Sequence, residues 1–297
     1  MSLPLAYLSV VAIWATTPLA IKWSALGTGY AFAVMARMMI GVVLALALIA
    51  IWRVGLPLHA RARRSYVVAG IGLFGGMYCT YWGARYIDSG MVSVLFGLAP
   101  LITSLFARMW LGEAALRPAR LAGMLLGLAG LIVIFVGRGS GAADAAALAG
   151  MGALLVAVTI YSITLVLVKR IGDDSPPLAT TAGSLIVATP LFTLAWWLTG
   201  GEIPVDAPPR ALAAVVYLGV FGSVIGFALY YYVIKHSEAA RVALITLVTP
   251  VLALLLGSVV DGEIVSVRVW LGTALICLGL SLHQWEMVAD GRLRRRR

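Results

Sequence analysis

The side chains best suited to bind a small solute are aromatic and hydroxyl groups that recur at equivalent positions in two halves of the chain. Trp14 and Thr17 stand about one helical turn apart, and Tyr161 and Thr164 repeat them 147 residues later. A ring beside a hydroxyl can stack on an apolar group and hydrogen-bond to a polar one. The alternative is helix packing, in which each threonine bonds to the carbonyl four residues earlier. Because the repeat accounts for both pairs together, the sequence favours one binding place that they share.

Two prolines, Pro100 and Pro250, also recur, at an offset of 150 residues. Proline has no N–H, so each leaves the carbonyl four residues earlier without its helical donor; these carbonyls belong to Phe96 and Thr246. They could accept hydrogen bonds from a substrate ammonium, and the bends could act as hinges or gates. An ordinary helix kink is the alternative.

Three further aromatic residues, Tyr78, Tyr81 and Trp82, fall in a third apolar segment. At helical spacing Tyr78 and Trp82 share a face, and Tyr81 lies beside it. Their rings and polar tips suit substrate binding, and helix packing explains them equally well.

Arg37 is the one charged residue well inside an apolar segment, about 10 Å from its end at about 1.5 Å per helical residue. An intramembrane arginine is a functional candidate by default. The structural alternatives are that its side chain reaches toward the membrane surface or bonds to freed backbone carbonyls.

Motifs for enzymatic or metal chemistry are absent from the sequence. There is no GxxxxGK[ST] loop for ATP and no GxSxG or HExxH motif, and His59, His236 and His283 lack metal-ligand spacing. Cys79 and Cys277 have no CxxC spacing. We therefore expect a protein that is not an enzyme and that uses neither a metal nor a cofactor.

The twelve acidic residues all fall in loops or at the ends of apolar segments. An intramembrane carboxylate is the usual proton carrier of antiporters and the usual partner of a cationic drug. Its absence favours a facilitator, or uniporter, of neutral or zwitterionic solutes. Proton coupling through other groups is the alternative.

Membrane-spanning helices must position these residues, since a chain of 297 residues that is 62% hydrophobic and 11% charged lacks the polar groups to cover a soluble globule. One crossing needs about 20 apolar residues. Ten such segments lie at about 3–22, 30–52, 66–86, 91–111, 119–137, 147–169, 177–199, 210–233, 239–259 and 267–287. We expect an all-α integral membrane protein with ten transmembrane helices in a single domain, 1–297.

The number of spans predicts how the two halves are related. Five spans per half is an odd number, so the second half must enter the membrane with the opposite orientation. The sequence therefore predicts two inverted five-helix repeats, 1–139 and 145–290, around a central cavity. Such repeats are typical of secondary transporters that work by alternating access.

Lysine and arginine in the loops predict the orientation of the helices. With both termini in the cytoplasm, sixteen of these residues lie inside and five outside, the outer ones being Lys22, Arg85, Arg138, Arg210 and Arg268. The basic tail at 292–297 then acts as an anchor at anionic lipid heads and not as a nucleic-acid arm. The first segment lacks a basic leader and a cleavage site, which predicts a retained span.

The repeated motifs resemble the EamA-type branch of the drug/metabolite transporter superfamily. Each repeat of that family has a proline in its fourth helix, a Gly-Glu pair further on and a glycine-spaced fifth helix. The chain carries these features twice, as Pro100, Gly112, Glu113, Gly123 and Gly130, and as Pro250, Gly262, Glu263, Gly272 and Gly279. Trp14 and Arg37 also fit the first repeat, whereas the second copy has Tyr161 and Ser184.

The resemblance implies export of metabolites across the bacterial inner membrane, and the chain is most similar to YddG-type amino-acid exporters. We therefore expect a monomeric secondary transporter of neutral or aromatic amino acids or similar small metabolites, in contact with membrane lipid and not with nucleic acid. A drug or other metabolite exporter is the alternative within this class. An integral-membrane enzyme or lipid-handling protein is the alternative outside it.

Overall fold

The computed structural model describes residues 2–112, 118–135, 142–236 and 239–294, and every regular element among them is helical. The first half contains α1 (Leu3–Thr28), α2 (Tyr30–Trp52), α3 (Ala60–Gly83), α4 (Ser89–Phe96), α5 (Ala99–Leu111) and α6 (Pro118–Phe135). The second half contains α7 (Ala142–Ile171), α8 (Pro177–Leu198), α9 (Pro209–Tyr217), a π-helical segment (Leu218–Ile225), α10 (Gly226–His236), α11 (Ala239–Asp261) and α12 (Val267–Arg294). Glu113, Arg138 and the last three arginines lie outside the described residues.

The chain has the helices of a multi-pass membrane protein. Six described stretches are long and apolar enough to cross a membrane: Leu3–Thr28, Tyr30–Trp52, Ser89–Leu111, Asp144–Ile171, Pro177–Leu198 and Pro209–Tyr230. Three shorter apolar helices follow the same pattern at Leu121–Ile134, Ile245–Asp261 and Val267–Leu282. The all-α membrane class is therefore confirmed, while the count of ten spans stays a prediction.

Helices α1, α3, α7 and α12 each extend five to seven residues beyond one end of the predicted spans, and the structure explains two of these differences. The third segment was expected from residue 66, but α3 begins at Ala60 because the Ala62 N–H donates to His59 Nδ1 (3.2 Å), so the helix starts among arginines. The first segment was expected to end near Lys22, yet α1 continues to Thr28. Lys22 therefore projects from a regular helix and not from a loop.

Helices α6 and α12 pack closely against each other through glycines. An added Cβ on Gly130 would lie 2.6 Å from the carbonyl oxygen of Gly272, and one on Gly279 would lie 2.5 Å from the carbonyl oxygen of Gly123. Small residues of this kind let two membrane helices approach at backbone distance. An offset of 149 residues converts the Gly123–Gly279 pair into the Gly272–Gly130 pair.

The first helix of each half packs against the third segment of the other half. Helix α7 packs on α3, where Gly83 meets the carbonyl oxygen of Gly150. Helix α1 packs on α9, the π-helical segment and α10, and Thr16 Oγ1 and Tyr217 OH share a hydrogen bond of 2.6 Å. The two halves are thus interleaved and do not form separate bundles.

We expect Gly130→Ala to destabilise the protein by about 1–3 kcal/mol, the usual cost of overpacking, because the new methyl would meet backbone and not a mobile side chain. Gly152→Ala in α7 is the matched control, since a Cβ there has open space within 4 Å. It should be neutral or stabilising by up to about 1 kcal/mol through helix propensity. Thermal unfolding in detergent measures both. Equal unfolding temperatures for the two variants would contradict the close α6–α12 contact.

Candidate functional site

Trp14 lies in the middle of α1 and packs against α10. Its ring centroid is 4.6 Å from that of Tyr230 and 6.5 Å from that of Phe227. Pro18 is in the same helix and has no N–H, so the carbonyl of Trp14 lacks its helical donor. A half-buried indole and a free backbone acceptor therefore occur at one residue. Pro18 was not among the predicted site residues, although its position four residues after Trp14 carried this signal.

Tyr161 lies on α7 beside the end of α4. Its ring meets that of Phe96 edge-on at a centroid distance of 6.3 Å, and Tyr161 is 38% exposed. Nearby, Ser162 Oγ donates to the carbonyl of Ala99 (3.3 Å), which fixes α7 to the start of α5. Tyr161 thus stands next to an interrupted helix, as Trp14 stands next to a proline.

The two predicted threonines use their hydroxyl protons within their own helices. Thr17 Oγ1 donates to the carbonyl of Ile13 (2.6 Å), and Thr164 Oγ1 donates to the carbonyl of Ile160 (2.7 Å). The side chain of Thr164 also fills the space beside Gly72 on α3. This geometry favours the packing alternative for Thr164. Each hydroxyl oxygen can still accept one further hydrogen bond.

The backbone near the two predicted hinges differs between the halves. In the first, α4 ends at Phe96 and α5 begins at Ala99, so the helix is interrupted just before Pro100. In the second, α11 runs without interruption through Pro250, with Thr246 half-buried one turn earlier. A Cβ added at Gly97 would lie 3.6 Å from the Pro250 ring, so the interruption of the first half packs against the proline of the second.

The aromatic residues of α3 do not gather in one place. Tyr78 OH and Tyr30 OH share a hydrogen bond of 3.1 Å, and the Arg85 guanidinium lies 4.2 Å from the centre of the Tyr30 ring. Trp82 faces the same arginine, at 5.6 Å. Tyr81 is fully buried on another side of the helix. Tyr78 and Trp82 therefore belong to a cluster around Arg85, and Tyr81 does not.

Arg37 is buried inside the bundle, with 4% of its surface exposed, and all three of its described partners are neutral. Its Nε donates to Ser223 Oγ (2.9 Å), one terminal nitrogen to the carbonyl of Gly222 (3.3 Å) and the other to Tyr81 OH (3.4 Å). Gly222 and Ser223 belong to the π-helical segment, and Ser223 Oγ donates to the carbonyl of Leu218 (3.0 Å). This contact favours the structural alternative, in which the arginine bonds to irregular backbone.

A cluster of ion pairs around Lys22, in the C-terminal part of α1, was not predicted from the sequence. Lys22 Nζ lies 2.7 Å from Glu263 Oε1, 3.6 Å from Asp261 Oδ2 and 3.8 Å from Asp88 Oδ1. The Glu263 side chain is only 2% exposed although it comes from the loop after α11. Two sequence features could have indicated this cluster: a lysine in an apolar segment and the repeated Gly-Glu motif. Their spacing along the chain gave no sign that the two are in contact.

Glu263 also binds the N-terminus of α4. Its carboxylate accepts hydrogen bonds from Ser89 N–H (2.8 Å), Ser89 Oγ (3.0 Å) and Gly90 N–H (3.4 Å). A carboxylate at this place satisfies free N–H groups and opposes the helix dipole. A side chain at position 257 would occupy the carboxylate's space, so Gly257 makes room for Glu263.

Asp261 links two further residues to the cluster. The indole nitrogen of Trp23 donates to Asp261 Oδ1 (2.9 Å), and a terminal nitrogen of Arg210 lies 3.3 Å from the same oxygen. The Arg210 guanidinium is also stacked 3.4 Å above the centre of the Trp23 ring. We call Lys22, Asp88, Arg210, Asp261 and Glu263 the Lys22 cluster.

A groove of about 490 Å³ lies between α2 and α8, away from these groups. Its lining is Met39, Thr189, Pro190, Thr193, Leu194 and Trp197. None of the predicted site residues lines it, and it is largely apolar.

A multi-pass helical protein that buries polar groups between its helices has the architecture of a membrane transporter. The chain belongs to the EamA-like transporter family, whose family model matches residues 2–136 and again residues 148–283. The predicted resemblance to the drug/metabolite transporters is thereby confirmed.

Similar proteins are also transporters by name. The uncharacterized transporter YoaV of Bacillus subtilis (strain 168) is 24% identical over 280 residues, which cover 94% of this chain and 95% of the relative. The uncharacterized inner membrane transporter YedA of Escherichia coli (strain K12) is 28% identical, over 66% of this chain and 62% of the relative. A probable terminal-alkyne amino-acid exporter of Streptantibioticus cattleyicolor is 30% identical, over 68% of this chain and 66% of the relative. A solved crystal structure matches with a TM-score of 0.65 and 26% identity, over 95% of this chain and 96% of that one.

Proposed function

We propose that the protein exports neutral or aromatic amino acids, or similar small metabolites, across the inner membrane as a facilitator that works by alternating access. The observation that carries this proposal is the placement of Trp14 and Tyr161. Each is a partly exposed ring on the first helix of one half. Trp14 lies one turn before Pro18, and Tyr161 lies beside the interruption between α4 and α5. We place the substrate between these two rings.

The chemistry of a zwitterion fits this arrangement. Aromatic rings offer favourable contact to an apolar or aromatic side chain. Pro18 and Pro100 stand four residues after Trp14 and Phe96, where a helix would supply an N–H donor that proline lacks. The carbonyls of Trp14 and Phe96 can therefore accept hydrogen bonds from an ammonium group. An ammonium that leaves water without such acceptors loses several kcal/mol per unsatisfied group.

The choice of amino acids within this class is supported by one relative, whose name describes it as a probable terminal-alkyne amino-acid exporter. The facilitator mechanism is supported by the sequence, in which no acidic residue falls in the middle of an apolar segment. A proton-driven antiporter usually relies on such a carboxylate.

The proposal includes ten transmembrane helices in two inverted repeats. Support comes from the pairs Gly130–Gly272 and Gly123–Gly279, which exchange under the repeat offset, as contacts across a two-fold axis should. The double match of the family model gives independent support for a duplicated chain. In this topology both termini are cytoplasmic and the Lys22 cluster faces outside, in line with the excess of basic residues in the inner loops.

Purified protein in liposomes tests the function. We expect uptake of labelled neutral aromatic amino acids above the rate of empty liposomes, with the same rate whether or not a pH gradient is present. Failure of every neutral amino acid to move would overturn the substrate proposal. Transport that requires the gradient would overturn the facilitator mechanism but not the substrate.

A further inference from the structure

We propose that the Lys22 cluster is the outer gate of the transport path and that Glu263 is the residue that holds it closed. The inference rests on the proposed function, because a gate has meaning only for a protein that opens to each side in turn. It assigns a role to five charged residues that substrate binding leaves unexplained.

The cluster joins segments that must separate for the path to open on this side. Lys22 belongs to α1, Asp88 precedes α4, Arg210 begins α9, and Asp261 and Glu263 follow or end α11. These segments come from both halves of the chain. A single carboxylate, that of Glu263, bonds at once to the lysine of α1 and to the N-terminus of α4.

The packing of α4 and α11 places the closure at the same end of the bundle. Gly97 lies against the Pro250 ring. About two helical turns nearer the cluster, Gly90 packs against Leu254, which leaves no room for a side chain at position 90. Beyond the interruption, α5 packs against α7. The described contacts between the two hinge-bearing segments therefore run from the prolines toward Lys22, so the path is closed on the side of the cluster.

The chemistry of the cluster suits a contact that must form and break. A buried charge is stable only while it is paired and hydrogen-bonded, and Glu263 meets both conditions when the gate is closed. When the segments part, water can solvate the lysine, the carboxylates and the first N–H groups of α4. The charged groups thus exchange protein partners in the closed state for water in the open state. This exchange lets the closed and open states have similar free energies, as a gate requires.

The test measures access to the centre of the protein from each side of the membrane. The reporter carries Phe96→Cys in a background with Cys79→Ala and Cys277→Ala, and a membrane-impermeant maleimide is added to either face of sealed vesicles. In the parent we expect slower labelling from the Lys22 side than from the opposite side. Glu263→Gln, Lys22→Gln and Gly257→Ala should each speed labelling from the Lys22 side by about fivefold or more, the lower bound for typical coupled equilibria.

Glu202→Gln is the matched control, because Glu202 is an exposed acidic residue in the loop before α9, at the same end of the bundle. Its labelling rate should equal that of the parent. Size-exclusion profiles identify the variants that fold, and Lys22→Gln, which keeps Glu263 on α4, decides the question if Glu263→Gln aggregates.

Two results would overturn the gate: a parent labelled equally fast from both sides, or folded Glu263 and Lys22 variants labelled at the parent's rate. Labelling needs no substrate, so this outcome is separate from the liposome experiment. Transport with unaltered labelling would remove the gate and leave the proposed function. Faster labelling of the variants, in a protein that moves no amino acid, would support the gate and remove the proposed substrate.

Discussion

Trp14→Ala is expected to lower the transport of an aromatic amino acid by about tenfold or more, which corresponds to about 1.4 kcal/mol of lost interaction. The reason is that the substitution removes both the ring surface offered to the substrate and the tilted ring contact with Tyr230, and an aromatic pair contributes about 0.5–1.5 kcal/mol beyond its buried area. Tyr161→Ala should have an effect of the same kind in the other half. The measurement is initial uptake against substrate concentration in liposomes.

Ring-preserving variants separate binding from folding in this prediction. Trp14→Phe and Tyr161→Phe keep a ring at each position, so they should retain most of the transport. Thermal unfolding of each variant shows whether the fold survives. If both alanine variants fold and transport with wild-type rate and apparent affinity, the two rings are packing residues and the proposed site is wrong.

Arg37→Lys is expected to destabilise the protein by about 2–3 kcal/mol, and by more than Arg37→Met does. The guanidinium reaches Ser223, Gly222 and Tyr81 together, and a hydrogen bond to a charged group contributes about 1.5–3 kcal/mol. Lysine keeps the buried charge, but its single compact ammonium cannot reach the three acceptors that the planar guanidinium reaches together.

Methionine at position 37 removes the charge, and the two opposing effects then nearly cancel. Tyr81 OH and the Gly222 carbonyl lose a donor, at about 1–3 kcal/mol for each buried unsatisfied group, whereas Ser223 Oγ keeps its own bond to the Leu218 carbonyl. Against this, a buried arginine in a membrane helix costs about 2.5–3.5 kcal/mol to insert. Unfolding temperatures in detergent rank the variants. A lysine variant as stable as the wild type, or more stable than the methionine variant, would contradict the bonding described for Arg37.

The elements of the fold were predictable wherever the length of an apolar segment decides the structure. Hydrophobicity located α2 and α8 within a residue or two of their observed ends. It misplaced one end of α1, α3, α7 and α12. Two of these errors are explained: the start of α3 depends on a local cap at His59, and at α1 one lysine was taken as the end of a span. Both errors arise because hydropathy registers the cost of a charge in lipid and not the partner that removes this cost.

The candidate site was predictable only in part, because side-chain partners depend on the tertiary structure. The repeat brought out Trp14 and Tyr161 as related positions, but the rings that they contact lie in distant segments. The Lys22–Glu263 ion pair joins residues 241 apart. A single sequence contains no signal that pairs two residues so far apart, although each of them was unusual for its position.

Counterflow in liposomes tests the central claim most directly, since it asks whether one central site moves a solute between two sides. Liposomes loaded with an unlabelled aromatic amino acid are diluted into a trace of the labelled compound without any ion gradient. We predict that label accumulates transiently above equilibrium and that Trp14→Ala abolishes this overshoot. Label that only equilibrates, at a rate that does not depend on the internal amino acid, would contradict an alternating-access carrier for amino acids.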